Sequence, residues 1–518
     1  MRHLRWSQLA FAALIACHGS DTAQRDARPE DAASGDRPAD AAALDAATPQ
    51  DRTAFCGSYQ RQRNSQAVAA KLRDPGPAVA LPGSTEPELS AGPILGAISD
   101  AGLKIWVRSD SDAEWSVRIW RTDGKALLPE YPGAPLTAAE DYTGSVEIRD
   151  LSPGRKYGYA VLIRRPGSAE PGREVAAGEF HTLAADHEPT RTRVVVGADI
   201  TGSGPQPIFT QIHDVAPDFL LLVGDQMYAD ESEPTREGYS GYYRRNWNIK
   251  HLRALLKDVP AFMIWDDHEI SDNFWPGKNE RYQPAREAYD LYVQSHNPAA
   301  FRAGDLYYTL RSGDVSFFVL DVRSHRSPNT AIDDASKSML GTAQKHDLLA
   351  WLRCEPAKLK VIVSPVIWSD WSMTGQDAWI SFLTEREEIL GYIAKNEIGD
   401  VMILSGDQHW SAVFRYERAG YRFYEFLPTP LSKGRATAPR IDTDEILARD
   451  DDNFVFGVVD IDTSVEPYTV DLTLCAADKP CQPGAEPEPG TSLDPEGSAE
   501  NVPFTIHLTA RDLGLPKE

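Results

Sequence analysis

Phe219-Leu220-Leu221-Leu222-Val223-Gly224-Asp225-Gln226-Met227-Tyr228 is an apolar run that ends abruptly in a carboxylate, with a phenol three residues further on. So short and uniformly apolar a run suits a strand covered on both faces, one that delivers polar side chains where it stops. Five more runs share the form: Val194–Asp199, Phe262–Asp267, Phe317–Asp321, Val361–Ser364 and Val401–Asp407. Between them lie helical patterns, clearest in Trp379, Phe382, Leu383, Ile389, Leu390 and Ile393 and in Leu348, Leu349, Trp351 and Leu352. Strands alternating with helices indicate a layered α/β or α+β domain over about 190–450.

Five of the six runs end in aspartate: Asp199, Asp225, the pair Asp266 and Asp267, Asp321 and Asp407. Open α/β sheets bind ligands at the carboxyl ends of their strands, so these residues could converge on one rim. A single such aspartate could equally cap the next helix. Several gathered in one crevice would repel one another and raise each other's pKa unless cations compensated, so convergence implies metal. His409 follows Asp407 by two residues, and on an extended strand end both side chains would point the same way, as two ligands of one site. Asp266-Asp267-His268-Glu269 is the densest cluster of chemically able side chains, although a solvated first helical turn has the same composition.

Upstream of this region, Leu103–Arg108 and Trp115–Trp120 alternate with period two, and Gly144–Ile148 and Tyr157–Ile163 follow at sandwich-like spacing. The turn Leu151-Ser152-Pro153-Gly154 followed by Tyr157 resembles fibronectin type III modules, which implies a small β-sandwich without chemistry of its own. Downstream, Phe454–Ile461, Tyr468–Leu474 and Phe504–Leu508 read as strands that finish a sheet of the catalytic region, interrupted by a Pro/Gly/Glu-rich loop near 482–497.

The chain opens with Arg2, His3 and Arg5, then an apolar Leu9–Ala16, then Cys17, the pattern of an export signal. Leu14-Ile15-Ala16-Cys17 resembles the lipobox of bacterial lipoproteins; an ordinary signal peptide is the alternative. No later stretch approaches the roughly 20 apolar residues that span a bilayer, so membrane attachment would rest on that lipid anchor. Residues 18–52 are rich in Ala, Asp and Pro and cannot bury enough surface to offset their ordering entropy, which reads as a stalk. The expected organisation is a signal over 1–17, the stalk over 18–52, a connecting segment over 53–91, the β-sandwich over 92–184 and the catalytic domain over 190–518.

A net charge of −24 argues against nucleic acid as a partner, since binding phosphates in bulk needs a basic face. Beyond Cys17 four cysteines remain; Cys475 and Cys481 can close a small loop, leaving Cys56 and Cys354 as a long-range pair.

Asp225 with Tyr228, Asp267 with His268, and Asp407 with His409 together resemble the PhoD-like alkaline phosphatases and phosphodiesterases of the calcineurin-like metallophosphoesterases. Gly224-Asp225-x-x-Tyr228, Trp265-Asp266-Asp267-His268-Glu269, Leu320-Asp321-x-Arg323 and Leu404-Ser405-Gly406-Asp407-x-His409 stand in that family's order. The resemblance implies a four-layer αββα sandwich preceded by a small fibronectin-like β-sandwich. It implies a ferric ion with a divalent cation beside it, Ca2+ favoured and Zn2+ or Mn2+ as alternatives. Asp225 would bridge the metals, Tyr228, His409 and Asp199 would complete the iron shell, and Asp267, Asp407 and Asn273 would hold the second metal. Two cations would activate a shared water for in-line attack on phosphorus. His268 would protonate the leaving oxygen, Glu269 would orient it, and Arg323 would offer a fork to phosphate oxygens.

The chain departs from that pattern at Asp199, where PhoD-like enzymes carry cysteine and purple acid phosphatases aspartate. Asp407 stands where purple acid phosphatases place histidine. Hard oxygen ligands favour calcium over zinc. The function implied is a secreted, metal-dependent phosphatase or phosphodiesterase, expected to be a monomer, acting on small-molecule or lipid phosphoesters. A non-catalytic surface binding protein retaining the fold is the alternative. The aromatic and basic segment from Glu233 to Asn248 could shape substrate choice or could be helix packing.

Overall fold

The computed structural model describes residues 56–57 and 86–514, except 125, 205, 278–279, 373–376, 440–442 and 485–503. The expected signal and stalk, most of the connecting segment and most of the 482–497 loop lie outside the described residues. All described residues fall in one unit, Asp40–Glu518.

In chain order, the first seven strands are β1 (Leu89–Gly96), β2 (Leu103–Ser109), β3 (Glu114–Arg121), β4 (Tyr131–Pro132), β5 (Thr143–Ile148), β6 (Lys156–Arg164) and β7 (Arg173–His181). Next come β8 (Arg191–Gly197), α1 (Ile208–Asp214), β9 (Phe219–Val223), α2 (Arg236–Asn246), α3 (Lys250–Asp258), β10 (Ala261–Ile264) and α4 (Tyr282–Tyr289). The following stretch holds β11 (Tyr308–Ser312), β12 (Val315–Val319), α5 (Gly341–Cys354), β13 (Leu359–Val363), α6 (Leu383–Lys395) and β14 (Val401–Leu404). β15 (Ser411–Arg418), β16 (Tyr421–Leu427), β17 (Ile446–Asp450), β18 (Val455–Asp462), β19 (Thr469–Ala476) and β20 (Phe504–Thr509) close the chain.

Two large sheets face each other. One has nine strands in the order β20-β19-β18-β8-β9-β10-β1-β2-β5, the other seven in the order β11-β12-β13-β14-β16-β15-β17. β8, β9 and β10 run parallel, as do β12, β13 and β14. Side-chain alternation builds the layers: Phe317, Val319, Val361, Val363, Met402 and Leu404 enter the core shared with the nine-stranded sheet. Their neighbours Phe318, Ile362 and Ile403 point the other way, into a second core under α5 and α6. Both faces are therefore covered, which is why these strands read as unbroken apolar runs. Phe219 of β9 meets Phe317 of β12 edge-on across the interface, with ring centroids 5.7 Å apart. At the site end the sheets close tightly: a Cβ added to Gly406 would lie 2.7 Å from the Val223 carbonyl oxygen and 2.8 Å from that of Pro365.

This is the four-layer αββα arrangement, and the C-terminal strands join it as read from sequence, β18 pairing with β8 and carrying β19 and β20. The N-terminal strands form two layers, β1-β2-β5 and β4-β3-β6-β7. The first of these is continuous with the nine-stranded sheet, because β1 pairs in parallel with β10 through Gly96 and Ala261. The Tyr157 hydroxyl accepts the Ser152 amide at 2.9 Å, so the fibronectin-like turn is tied back by its tyrosine. Disulfides join Cys56 to Cys354 and Cys475 to Cys481. Among the described residues no helix is long and apolar enough to cross a membrane.

Candidate active site

The strands that deliver the site stop two or three residues before its aspartates. β8 ends at Gly197, β9 at Val223, β10 at Ile264 and β14 at Leu404. Past those ends Asp199, Asp225, Asn273, Asp407 and His409 take φ values of 64°, 52°, 51°, 78° and 58°. Asp, Asn and His tolerate this left-handed region better than most residues, which fits their use where a chain must turn sharply with a polar side chain.

Three overlapping groups of side chains result, each with ligand atoms within 4.8 Å of one another: Asp199, Asp225 and His409; Asp225, Asp267 and His268; and Asp266, Asp267 and Asp407. Asp225 and Asp267 are each shared by two groups. Asp407 and His409 thus face different groups, contrary to the expectation that both point one way. That expectation assumed an extended chain, whereas the strand has ended and both residues have positive φ. Tyr228 joins the first group through its hydroxyl, 2.9 Å from His409 Nε2. Asn273 is exposed and meets Asp267 through its backbone amide, which donates to the carboxylate.

Buried acceptors test whether cations fit here. Five carboxylate oxygens, both of Asp199 and one each of Asp225, Asp266 and Asp267, are buried without a hydrogen-bond partner among the described residues. A buried acceptor without a hydrogen-bond partner is costly. Burial, then mutual repulsion with Asp267 and Glu269, pushes Asp225 well above the carboxylate range, and burial with Asp266 and Asp267 does the same to Asp407. Burial, then the charges of Asp225 and Asp199, likewise raises the Tyr228 phenol. Carboxylates, imidazoles and a phenol around orphaned oxygens form a donor set that suits hard cations.

The supporting residues differ from expectation in three respects. Glu269 does not orient His268; its carboxylate accepts the backbone amides of Asp225, Gln226 and Asp266 at 3.2, 2.6 and 2.9 Å, pinning two strand ends together. Asp230 takes the orienting position instead, its two oxygens 2.8 and 2.9 Å from His268 Nδ1, leaving Nε2 toward Asp225 at 4.0 Å. Burial opposes a charged His268, but the hydrogen bond to Asp230 and the charge of Asp267 outweigh it and bring the pKa up to about 9. Asp321 does not reach the rim; one of its oxygens accepts the Trp265 indole N–H at 3.0 Å and the amides of Arg323 and Ser324.

Arg323 is the third correction. Its side chain is fully buried, with Nε donating to Asp266 and Nη1 to Asp377 at 2.8 Å, and Nη2 3.6 Å from Asp267 Oδ1. A guanidinium sealed among three carboxylates sets their positions and, being fully buried, presents no fork to a phosphate. Asp377, also paired with Arg326 at 2.7 Å, completes this network, and no motif pointed to it. In the aromatic segment, Tyr239, Tyr243 and Trp247 are packed in the core, Tyr243 stacking on Tyr292 with centroids 5.3 Å apart. The packing reading holds for these three.

A family model described as PhoD-like phosphatase matches residues 193–472. The chain is 25% identical over 243 residues to alkaline phosphatase D of Bacillus subtilis (strain 168), a match covering 40% of this chain and 41% of that protein. A solved structure of PhoD superposes with a TM-score of 0.66 at 16% identity, covering 77% of this chain and 89% of that one. A purple acid phosphatase from yellow lupin (Lupinus luteus) seeds superposes with a TM-score of 0.54 at 16% identity, covering 76% and 72%. At such identities the structural likeness speaks for the fold.

Proposed function

The chain belongs to the PhoD-like phosphatase family, and on that premise we propose that it hydrolyses phosphate esters at the crevice between the ends of its two large sheets. The observation that carries this is the sharing of Asp225 and Asp267 between adjoining ligand groups, in which five buried oxygens of Asp199, Asp225, Asp266 and Asp267 have no hydrogen-bond partner among the described residues. Such a layout would suit two cations held by neighbouring groups.

Asp199, Asp225, Tyr228 and His409 would hold a ferric ion. Asp225, Asp267 and Asp407, with Asn273, would hold a second cation, with calcium favoured over zinc or manganese by the oxygen donors. Cations held by these residues would supply a nucleophile from water near neutral pH and would offset charge on the phosphate. The chain's own contribution to proton transfer is His268. Asp230 holds its Nδ1, so Nε2 is the atom available to give a proton to the departing oxygen. Glu269 and Arg323 act at one remove, the first by fixing the strand ends, the second by fixing Asp266. The substrate is a small-molecule phosphoester, with a lipid phosphoester as the alternative, met outside the cytoplasm if the N-terminal export signal operates.

The test is hydrolysis of a chromogenic phosphoester by the full chain and by Asp225→Asn, with elemental analysis of both. Activity should accompany bound iron and fall to background in the variant while its circular dichroism is unchanged. Full activity in Asp225→Asn overturns the assignment.

A further inference from the structure

Arg323 is sealed in the interior, and the motifs' other cation, protonated His268, is assigned to the departing oxygen, so the motifs leave the non-bridging phosphate oxygens without a cation from the chain. The loop after β16 supplies one. The Leu431 amide donates to the Ala198 carbonyl at 2.9 Å, and the amides of Ser432 and Lys433 donate to the Asp199 carbonyl at 3.1 and 3.0 Å. Ser432 Oγ accepts the Thr201 amide at 3.1 Å, and the Gly434 carbonyl accepts His409 Nδ1–H. Residues 431–434 are thus laced to the main chain of one candidate ligand and to the ring of another, so their position is set by the site itself.

Lys433 stands on that loop, half-buried, with Nζ 3.7 Å from the centroid of the Tyr228 ring. The contact is a cation–π interaction, and among the described residues no carboxylate pairs with this ammonium. Acidic residues outnumber basic ones 77 to 53 in this chain, and carboxylates line the crevice beside Tyr228. An ammonium seated on the Tyr228 ring there, with no carboxylate partner among the described residues, is placed to receive an anion.

We propose that Lys433 is the substrate-binding cation of this site, contacting a non-bridging phosphate oxygen and favouring dianionic monoesters over monoanionic diesters. The inference rests on the phosphoesterase reading above and adds the charge class of the substrate. A monoester near neutral pH carries close to two charges, so one positive group contributes more to it than to a diester. Tyr228 positions the ammonium by its ring face, and the loop's hydrogen bonds to Asp199 fix the distance.

The experiment compares the metal-loaded full chain with Lys433→Met, which keeps an unbranched apolar stem over Tyr228, and Lys433→Arg, which keeps the charge. kcat and KM are measured for p-nitrophenyl phosphate and bis(p-nitrophenyl) phosphate, and inorganic phosphate affinity by titration calorimetry. In Lys433→Met the monoester KM should rise on the order of tenfold or more, as for loss of a charge-assisted hydrogen bond, with kcat little changed. The diester KM should rise less, phosphate affinity should weaken in parallel with the monoester, and Lys433→Arg should recover part of both. Unchanged monoester KM and phosphate affinity in Lys433→Met overturn the proposal, as does an equal loss on both esters with phosphate affinity intact. If the parent hydrolyses neither ester, the proposed activity falls, and the phosphate titration alone then judges Lys433.

Discussion

His268 owes its orientation to a residue the motifs do not contain. Asp230 accepts both the imidazole Nδ1–H and, at 2.7 Å, the Asp272 amide, so it fixes ring and loop together. Removing its charge in Asp230→Asn should lower kcat roughly 10–100-fold, the size expected of an orienting partner, with the fold retained. The His268 pKa is raised in the protein, so its acid form is present below about 9 and is lost as pH rises through that value. Without Asp230 the alkaline limb of the kcat profile should move to lower pH; a profile that keeps its limb would remove Asp230 from the mechanism. The acids and the phenol that the structure gathers were legible at this scale because an acid or phenol at the end of a buried run is a costly choice. Their partners were not. Glu269 was read as the neighbour of His268 because it is adjacent in sequence, and Arg323 as available because burial cannot be read from a motif. Asp230, two residues past Tyr228, is one of 77 acids, and only its spatial approach to Nδ1 distinguishes it.

Among the elements, the strands themselves were legible and their ends were not. Apolarity runs on through Ala198, Gly224, Trp265 and Leu320, but the ladders stop at Gly197, Val223, Ile264 and Val319. The residues between are buried without being paired as strand, and there the chain turns its acidic side chains toward one another. Gly224 shows what that turn requires. Its φ is +93°, and a Cβ would sit 2.6 Å from the Cβ of Asp266 on the neighbouring strand end. The clash is with the root of a side chain whose backbone amide is held by Glu269, so it has little room to yield. Gly224→Ala should therefore cost more than about 1 kcal/mol in urea unfolding and also reduce bound metal, because Asp225 and Asp266 are displaced together. Equal stability and metal content in the variant would show that the two strand ends move independently.

Across the whole molecule, the layered fold followed from the order of four motifs and from runs covered on both faces. The attachment of the N-terminal β-layer did not, since β1 meets β10 across 165 residues of chain at a single pair, Gly96 and Ala261. The same junction is held by Asp141, on the loop before β5. It pairs with Arg108 of β2 at 2.8 Å and Arg244 of α2 at 2.7 Å, and it accepts the Tyr292 hydroxyl. Burial works against the charge, but the hydrogen bonds of Arg108 and Tyr292 and the charges of Arg108 and Arg244 hold the Asp141 pKa below its ordinary value. A depressed folded-state pKa stabilises fully above the unfolded value of about 3.9, and the contribution fades as pH falls through that value toward the folded one. Asp141→Asn should then lose about 1–2 kcal/mol at pH 7 and pH 5, in the lower part of the range for charge-assisted bonds because water still reaches the cluster. At and below about pH 4 the gap between parent and variant should narrow. Urea unfolding at the three pH values reads it directly. A gap that stays constant with pH would mean that Asp141 acts through shape alone and that its charge does not join the N-terminal layer to the catalytic sheets.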